Sequence, residues 1–226
     1  MIPYNRGVSE TCRVQAVLFD YGVVLSGPPR PEAWSRMKQI SRLEEEVFHR
    51  AYWGPRHDYD RGFHTGSAYW LEAGRSVGVD FSGEAIAALI EADTDLWTGI
   101  NQPMVDWAAR LQAAGTRTGI LSNIGDAMEA GVLARQPWIR QFDYALWSHR
   151  VKLAKPEAAI YAMAAEGLGC DAGNVLFLDD REDNVAGAVA AGMQAVLYTD
   201  DEALERALTK RGLDEFWRTG RLAVTA

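Results

Sequence analysis

The chain has 226 residues, 48% of them hydrophobic, and a net charge of −8. That is ordinary globular composition, with enough length for one large domain or for a core carrying an inserted module. The negative balance gives no general electrostatic case for nucleic acid or an acidic membrane as partner, so an anionic ligand needs locally placed cations or a metal. Cys12 and Cys170 make neither a disulfide framework nor a metal cluster, which fits a reduced, cytoplasmic setting. No apolar run reaches membrane-spanning length, and the mixed polar stretch Met1 to Gln15 lacks the pattern of a signal peptide.

In chain order, the first element is an apolar run from Ala16 to Phe19 that stops at Asp20, with Gly22 two residues on. This reads as a buried parallel strand that delivers a carboxylate to its C-terminal edge, where open α/β sheets place their ligands. The breaker-rich Ser26 to Pro31 follows. Trp34, Met37 and Ile40 then recur at helical spacing, and Leu43 to Trp53 continues with an acidic start. Gly54 to Gly62 reads as polar and irregular. Helical pattern resumes over Ser67 to Val77 and Ser82 to Trp97, with Ser82 a good N-cap.

From Gln102 strands and helices alternate. Met104, Trp107, Ala108 and Leu111 form one helix face, closed by Gly115. Strands are predicted over Thr116–Leu121, Phe142–Trp147, Asn174–Leu178 and Gln194–Tyr198, and helices over Asp126–Arg135, Asn184–Ala191 and Asp200–Arg211. Lys155-Pro156-Glu157 reads as the opening of a further helix, with Pro in its first turn. Alternation of this kind implies a parallel sheet with right-handed crossovers. The all-helical stretch before it reads as an insertion between the first strand and the rest.

Three strands thus end in Asp20, Ser122 and Asp179-Asp180, and Lys155 precedes the last of them. In a parallel sheet those ends converge on one rim. A carboxylate nucleophile, two acids for a metal, a hydroxyl and a lysine suit phosphoryl transfer. Mg²⁺ takes oxygen ligands, commonly one or two protein carboxylates plus water and substrate phosphate.

Together, Phe19-Asp20-Tyr21-Gly22-Val23-Val24, Leu121-Ser122-Asn123, Lys155-Pro156-Glu157 and Phe177 to Asn184 resemble the four motifs of the haloacid dehalogenase-like hydrolase superfamily. The resemblance covers about residues 14 to 212. It extends to the branch that holds bacterial α-glucose-1-phosphate phosphatase and the N-terminal phosphatase domain of soluble epoxide hydrolase. It implies an α/β fold: a Rossmann-like core over residues 1–25 and 98–226, and an α-helical cap over 26–97. Carried over by position, it makes Asp20 the nucleophile and a Mg²⁺ ligand, to which Gly22 adds its carbonyl. Asp180 becomes the metal carboxylate, and Asp179 a ligand or close neighbour. Ser122 and Asn123 bind the phosphoryl group, and Lys155 bridges it to Asp20. Asn184 falls where the superfamily often has a further acid. The implied activity is a phosphatase of a small phosphorylated substrate, with sugar phosphates favoured.

One position departs from the pattern. Phosphatases of this superfamily usually carry a second Asp, a general acid, where this chain has Gly22. Such assistance is worth roughly 10²–10⁴-fold. A good leaving group, a donor from the cap (His57, Tyr59 or Arg61) or loss of turnover in favour of binding would each account for it. Tyr59 and Arg61 are the cap residues expected to touch substrate, with Phe63 and Trp70 expected in the cap core. Metal-independent dehalogenation is the second enzymatic reading. Adjacent acids facing Asp20 argue against it, because like charges raise its pKa.

Overall fold

The computed structural model describes residues 14–222; Cys12 and the stretch before Val14 lie outside the described residues. Five strands, β1 (Ala16–Phe19), β2 (Arg117–Ser122), β3 (Tyr144–Trp147), β4 (Val175–Asp179) and β5 (Gln194–Leu197), form one parallel sheet in the order β3-β2-β1-β4-β5. All four residues of β1 are fully buried, which is why it reads as an unbroken apolar run. It pairs with β2 on one side and β4 on the other. Strand order therefore reverses at β1 and β4, and the crevice beyond their carboxyl ends is the natural ligand position.

Between β1 and β2 run α1 (Pro31–Ser41), α2 (Glu45–Trp53), α3 (Arg56–Asp60), α4 (Gly66–Arg75), α5 (Gly83–Leu96) and α6 (Gln102–Ala113). After β2 come α7 (Asp126–Arg135), α8 (Ser148–Val151), α9 (Ala158–Leu168), α10 (Glu182–Ala190), α11 (Asp201–Thr209) and α12 (Asp214–Thr219). Val17 and Phe19 pack on the side covered by α6, α7, α11 and α12, against Trp107, Val132, Leu204 and Phe216. Ala16 and Leu18 pack on the other side, against Ile160, Tyr161 and Ala188 of α9 and α10. The two-residue period of the strand thus feeds two separate apolar layers.

Helices α1–α5 carry a third cluster of their own, built from Met37, Phe48, Tyr52, Tyr59, Tyr69, Trp70 and Leu89. The chain enters and leaves this segment where Gly27 and Gly99 run side by side. A Cβ on Gly99 would sit 3.3 Å from the Gly27 Cα, so the crossing is close because both residues lack side chains. Arg42, at φ 55°, separates α1 from α2. Ser82 caps α5 by accepting from Ala85 N–H, as its position predicts.

Three local expectations are corrected. The stretch 54–62 is not wholly irregular, because Arg56–Asp60 forms α3. Lys155-Pro156-Glu157 does not open a helix: the Lys155–Pro156 bond is cis, and α9 starts at Ala158. Phe63, expected in the core, is 57% exposed. It follows Gly62, whose φ of 75° turns the chain outward, and its ring lies under the Arg61 guanidinium. Trp70 is buried as expected.

The α1–α5 segment is seated on the sheet rim by Tyr59. Its ring stacks on Tyr69 with centroids 4.5 Å apart, and its hydroxyl accepts from Met128 N–H. A Cβ on Gly125 would lie 2.1 Å from the Tyr59 Cζ. Gly125→Ala should therefore destabilise the fold by about 1–3 kcal/mol, as overpacking does. Urea unfolding checks this, and an unchanged midpoint would contradict the seating.

Candidate functional site

Asp20 ends β1. Its backbone N–H donates to Leu178 O at 2.8 Å, which locks the first residue past the strand to β4. The chain then turns through Tyr21–Leu25. Val23 sits at φ 61°, a left-handed conformation that is strained for a β-branched residue. The turn is held by Val23 N–H donating to Ser26 Oγ at 2.9 Å. One Asp20 oxygen accepts from Tyr21 N–H at 2.7 Å.

Lys155 joins the three strand ends. Its ammonium lies 2.8 Å from Asp20 Oδ1 and 2.6 Å from Asp179 Oδ2, with the side chain only 1% exposed. Asn123, beyond β2, clamps the Lys155 backbone from both sides: its Oδ1 accepts from Lys155 N–H and its Nδ2 donates to Lys155 O, each at 2.9 Å. Asp179 is fully buried and takes Nδ2 of Asn184 on both oxygens, at 2.9 and 3.1 Å, and Arg181 N–H at 2.9 Å. No oxygen of Asp179 is left without a donor.

Burial pushes the Asp20 carboxyl up to about 7, with Lys155 opposing the rise and Asp179 and Asp180 adding to it. Burial also raises Asp180, reinforced by Asp179. Burial pulls Lys155 down, but the attraction of Asp20 and Asp179 outweighs it and holds the ammonium above the ordinary lysine range. Oxygens of Asp20, Asp179 and Asp180 lie within 4.8 Å of one another. Three carboxylates against one ammonium leave a local excess of negative charge on hard oxygen donors, the donor set that suits a small divalent cation.

These groups open into a cavity of about 560 Å³. Asp20, Gly22, Ser122, Lys155, Asp180 and Asn184 line its sheet side, and the Ser122 hydroxyl has no hydrogen-bond partner among the described residues. Trp53, Arg56, His57, Asp60 and Trp97, all from the helical segment after β1, complete the lining. Arg56, His57 and Asp60 share one face of α3, which continues that of Trp53 at the end of α2. Arg56 is committed within this wall, donating to Tyr52 Oη at 2.6 Å and to Asp60 Oδ1 at 2.9 Å.

The rim thus gathers Asp20, Gly22, Ser122, Asn123, Lys155, Asp179 and Asp180, as the motifs predict. Asn123 differs in detail, because its amide is spent on the Lys155 backbone. Two residues of the helical segment are corrected. Tyr59 is 2% exposed, wedged between Tyr69 and Gly125, and does not line the cavity. Arg61 lies past the end of α3 and turns to the rim outside the cavity, where it pairs with Glu157 and donates to Lys152 O. Sequence reasoning missed Arg56, Asp60 and Trp97. The spacing 53, 56, 57, 60 was the available signal for the first two, once a helix is recognised there.

The chain matches the family model of haloacid dehalogenase-like hydrolases over residues 14–192, and it belongs to that family. Bifunctional epoxide hydrolase 2 of Rattus norvegicus is 33% identical over 115 residues, covering 49% of this chain and 21% of that protein. A phosphatase of Mycobacterium tuberculosis is 36% identical over 84 residues, 37% of this chain and 39% of that one. The chain therefore spans well under two thirds of these relatives' lengths. Among solved structures, a HAD family enzyme from Bacteroides thetaiotaomicron in complex with magnesium and inorganic phosphate has a TM-score of 0.68 at 22% identity, covering 84% of this chain and 98% of that one. An L-2-haloacid dehalogenase from Xanthobacter autotrophicus has a TM-score of 0.62 at 21% identity, covering 87% and 82%. Both share the fold.

Removing one partner of a buried ionic cluster leaves charge uncompensated. Lys155→Met is expected to lower stability by about 3–5 kcal/mol. Denaturant melts check this, and a variant as stable as wild type would show that Lys155 does not hold the strand ends together.

Proposed function

We propose that this hydrolase is a Mg²⁺-dependent phosphatase of small phosphorylated metabolites, working through an aspartyl-phosphate on Asp20. The observation that carries the reading is the cluster of Asp20, Asp179 and Asp180 around the buried Lys155 ammonium. A metal-free dehalogenase needs no such surplus of carboxylates beside its nucleophile, and repulsion among them would weaken it. The reading is also supported by the magnesium and phosphate bound in the Bacteroides relative.

In this reading Asp20, Asp180 and the Gly22 carbonyl hold Mg²⁺, with Asp179 fixing Lys155 beside them. The ion, when bound, neutralises charge on the phosphoryl oxygens. Lys155 would do the same, and its charge favours the ionised form of Asp20. The free Ser122 hydroxyl donates to a third oxygen. Asp20 attacks phosphorus, the alcohol leaves, and water then cleaves the acyl phosphate. Residues 26–97 act as a cap over a core formed by 1–25 and 98–226, excluding water and selecting the leaving group. A hydroxylated leaving group such as a sugar suits the Trp53 and Trp97 faces and the polar Arg56–Asp60 pair. A cytoplasmic setting belongs to the same proposal.

Phosphate release from p-nitrophenyl phosphate should require Mg²⁺ and fall at least a thousandfold in Asp20→Asn, within the range seen when a nucleophile is removed. Metal-independent halide release from a 2-haloacid would instead support the dehalogenase. Protons compete with the cation for Asp20. A carboxyl poised at about 7 in the ion-free protein is mostly protonated at pH 6 and mostly ionised at pH 8. Mg²⁺ affinity should therefore drop about tenfold from pH 8 to pH 6, because bound metal requires the ionised ligand. Calorimetric titration at the two pH values reads this, and equal affinities would place the ion elsewhere.

A further inference from the structure

Gly22 leaves the site without an acid at the position where the superfamily commonly has one, and the cavity narrows what can replace it. A side chain grown from residue 22 would start out against Trp97, whose Cζ3 lies 3.8 Å from the Cβ position. The donor must come from another wall. Most proton-bearing groups there are committed. Lys155 is shared by Asp20 and Asp179. Arg56 serves Tyr52 and Asp60, and Arg181 serves Asp183. The Tyr21 hydroxyl donates to Trp97 O and is buried, which pushes its pKa far up.

Two are uncommitted: the Ser122 hydroxyl, assigned above to a phosphoryl oxygen, and His57. Its ring lines the cavity from α3, is exposed, and makes no hydrogen bond or ion pair among the described residues. Imidazole is the side chain that carries and releases a proton near neutral pH. It belongs to the part of the cavity lining that the helical segment supplies, while Asp20 belongs to the part at the end of β1.

We propose that His57 is the proton donor to the leaving group, taking the place of the acid missing at Gly22. The proposal rests on the phosphatase reading above. In the first step an Asp20 oxygen bonds to phosphorus as the bond from phosphorus to the alcohol oxygen breaks. The electron pair of that bond stays on the alcohol oxygen, which takes the imidazolium proton. Water then enters where the alcohol left. The neutral imidazole takes a proton from it as its oxygen bonds to phosphorus, the bond to Asp20 breaks, and phosphate leaves with the site restored.

The test compares two leaving groups under Mg²⁺. Ethyl phosphate needs its departing oxygen protonated, whereas p-nitrophenyl phosphate leaves as a stable anion. In His57→Asn, kcat on ethyl phosphate should fall about a hundredfold, as loss of a general acid does, while the rate of aspartyl-phosphate formation from p-nitrophenyl phosphate changes little. His57 is exposed and unbonded, so the variant should fold, and its melting curve verifies that. Equal losses on both substrates, or none on either, would overturn the proposal while leaving the phosphatase reading intact. So would a selective loss in Asp60→Asn that His57→Asn lacks, which would move the donor to Asp60. Wild type inactive on both substrates would overturn the phosphatase reading, and the role of His57 with it.

Discussion

A single buried ammonium holds this site together. Lys155 sits between Asp20 at the end of β1 and Asp179 at the end of β4, and Asn123 beyond β2 fixes its backbone. Three strand ends are thereby tied at one point. None of these groups is well off alone. A buried carboxylate without a partner is driven to take up a proton, and a buried ammonium to lose one. Together they satisfy one another, and Asn184 and the Arg181 N–H complete the shell around Asp179. The balance is incomplete: burial keeps the Asp20 pKa raised, and Asp179 and the further acid Asp180 at the rim add to the rise.

The helical segment answers a different demand. The sheet rim offers charge but little shape, and α1–α5 supply a wall. They carry an apolar cluster of their own behind that wall, with Trp97 packing against both it and a sheet layer. Tyr59, Arg61 and the Ser148 hydroxyl, which donates to Asp60 O, join the two parts around the cavity rather than inside it. Contacts at the perimeter leave the cavity face of α3 free for a ligand. The close crossing at Gly27 and Gly99 brings both connections to the sheet together at one place.

Much of this was legible in the sequence, for physical reasons that name themselves. β1 and β4 are buried on both faces, so they appear as unbroken apolar runs, and the acids that end them stand out. Lys155 and Ser122 follow from the rim once the strands alternate with helices. The α3 face was not legible, because Gly54 and Pro55 interrupt the helical pattern and the five residues of α3 are too few to show a period. Without that helix, Tyr59 and Arg61 looked as available as Arg56 and His57. Tertiary packing decides among them: Tyr59 fits against a glycine on the rim, and Arg61 finds Glu157. Asn123 was placed at the right strand end, yet its amide serves the lysine backbone, a contact between residues 32 apart that its motif does not reveal.

Asp20 as nucleophile implies a phosphorylated aspartate, and trapping that intermediate tests the proposal. Protein mixed with a phosphomonoester and Mg²⁺ would be quenched in acid within one turnover, digested and examined by mass spectrometry. The account predicts a phosphoryl group on the peptide that contains Asp20, absent in Asp20→Asn. Phosphate released without any adduct on Asp20, or with an adduct on another residue, would contradict it.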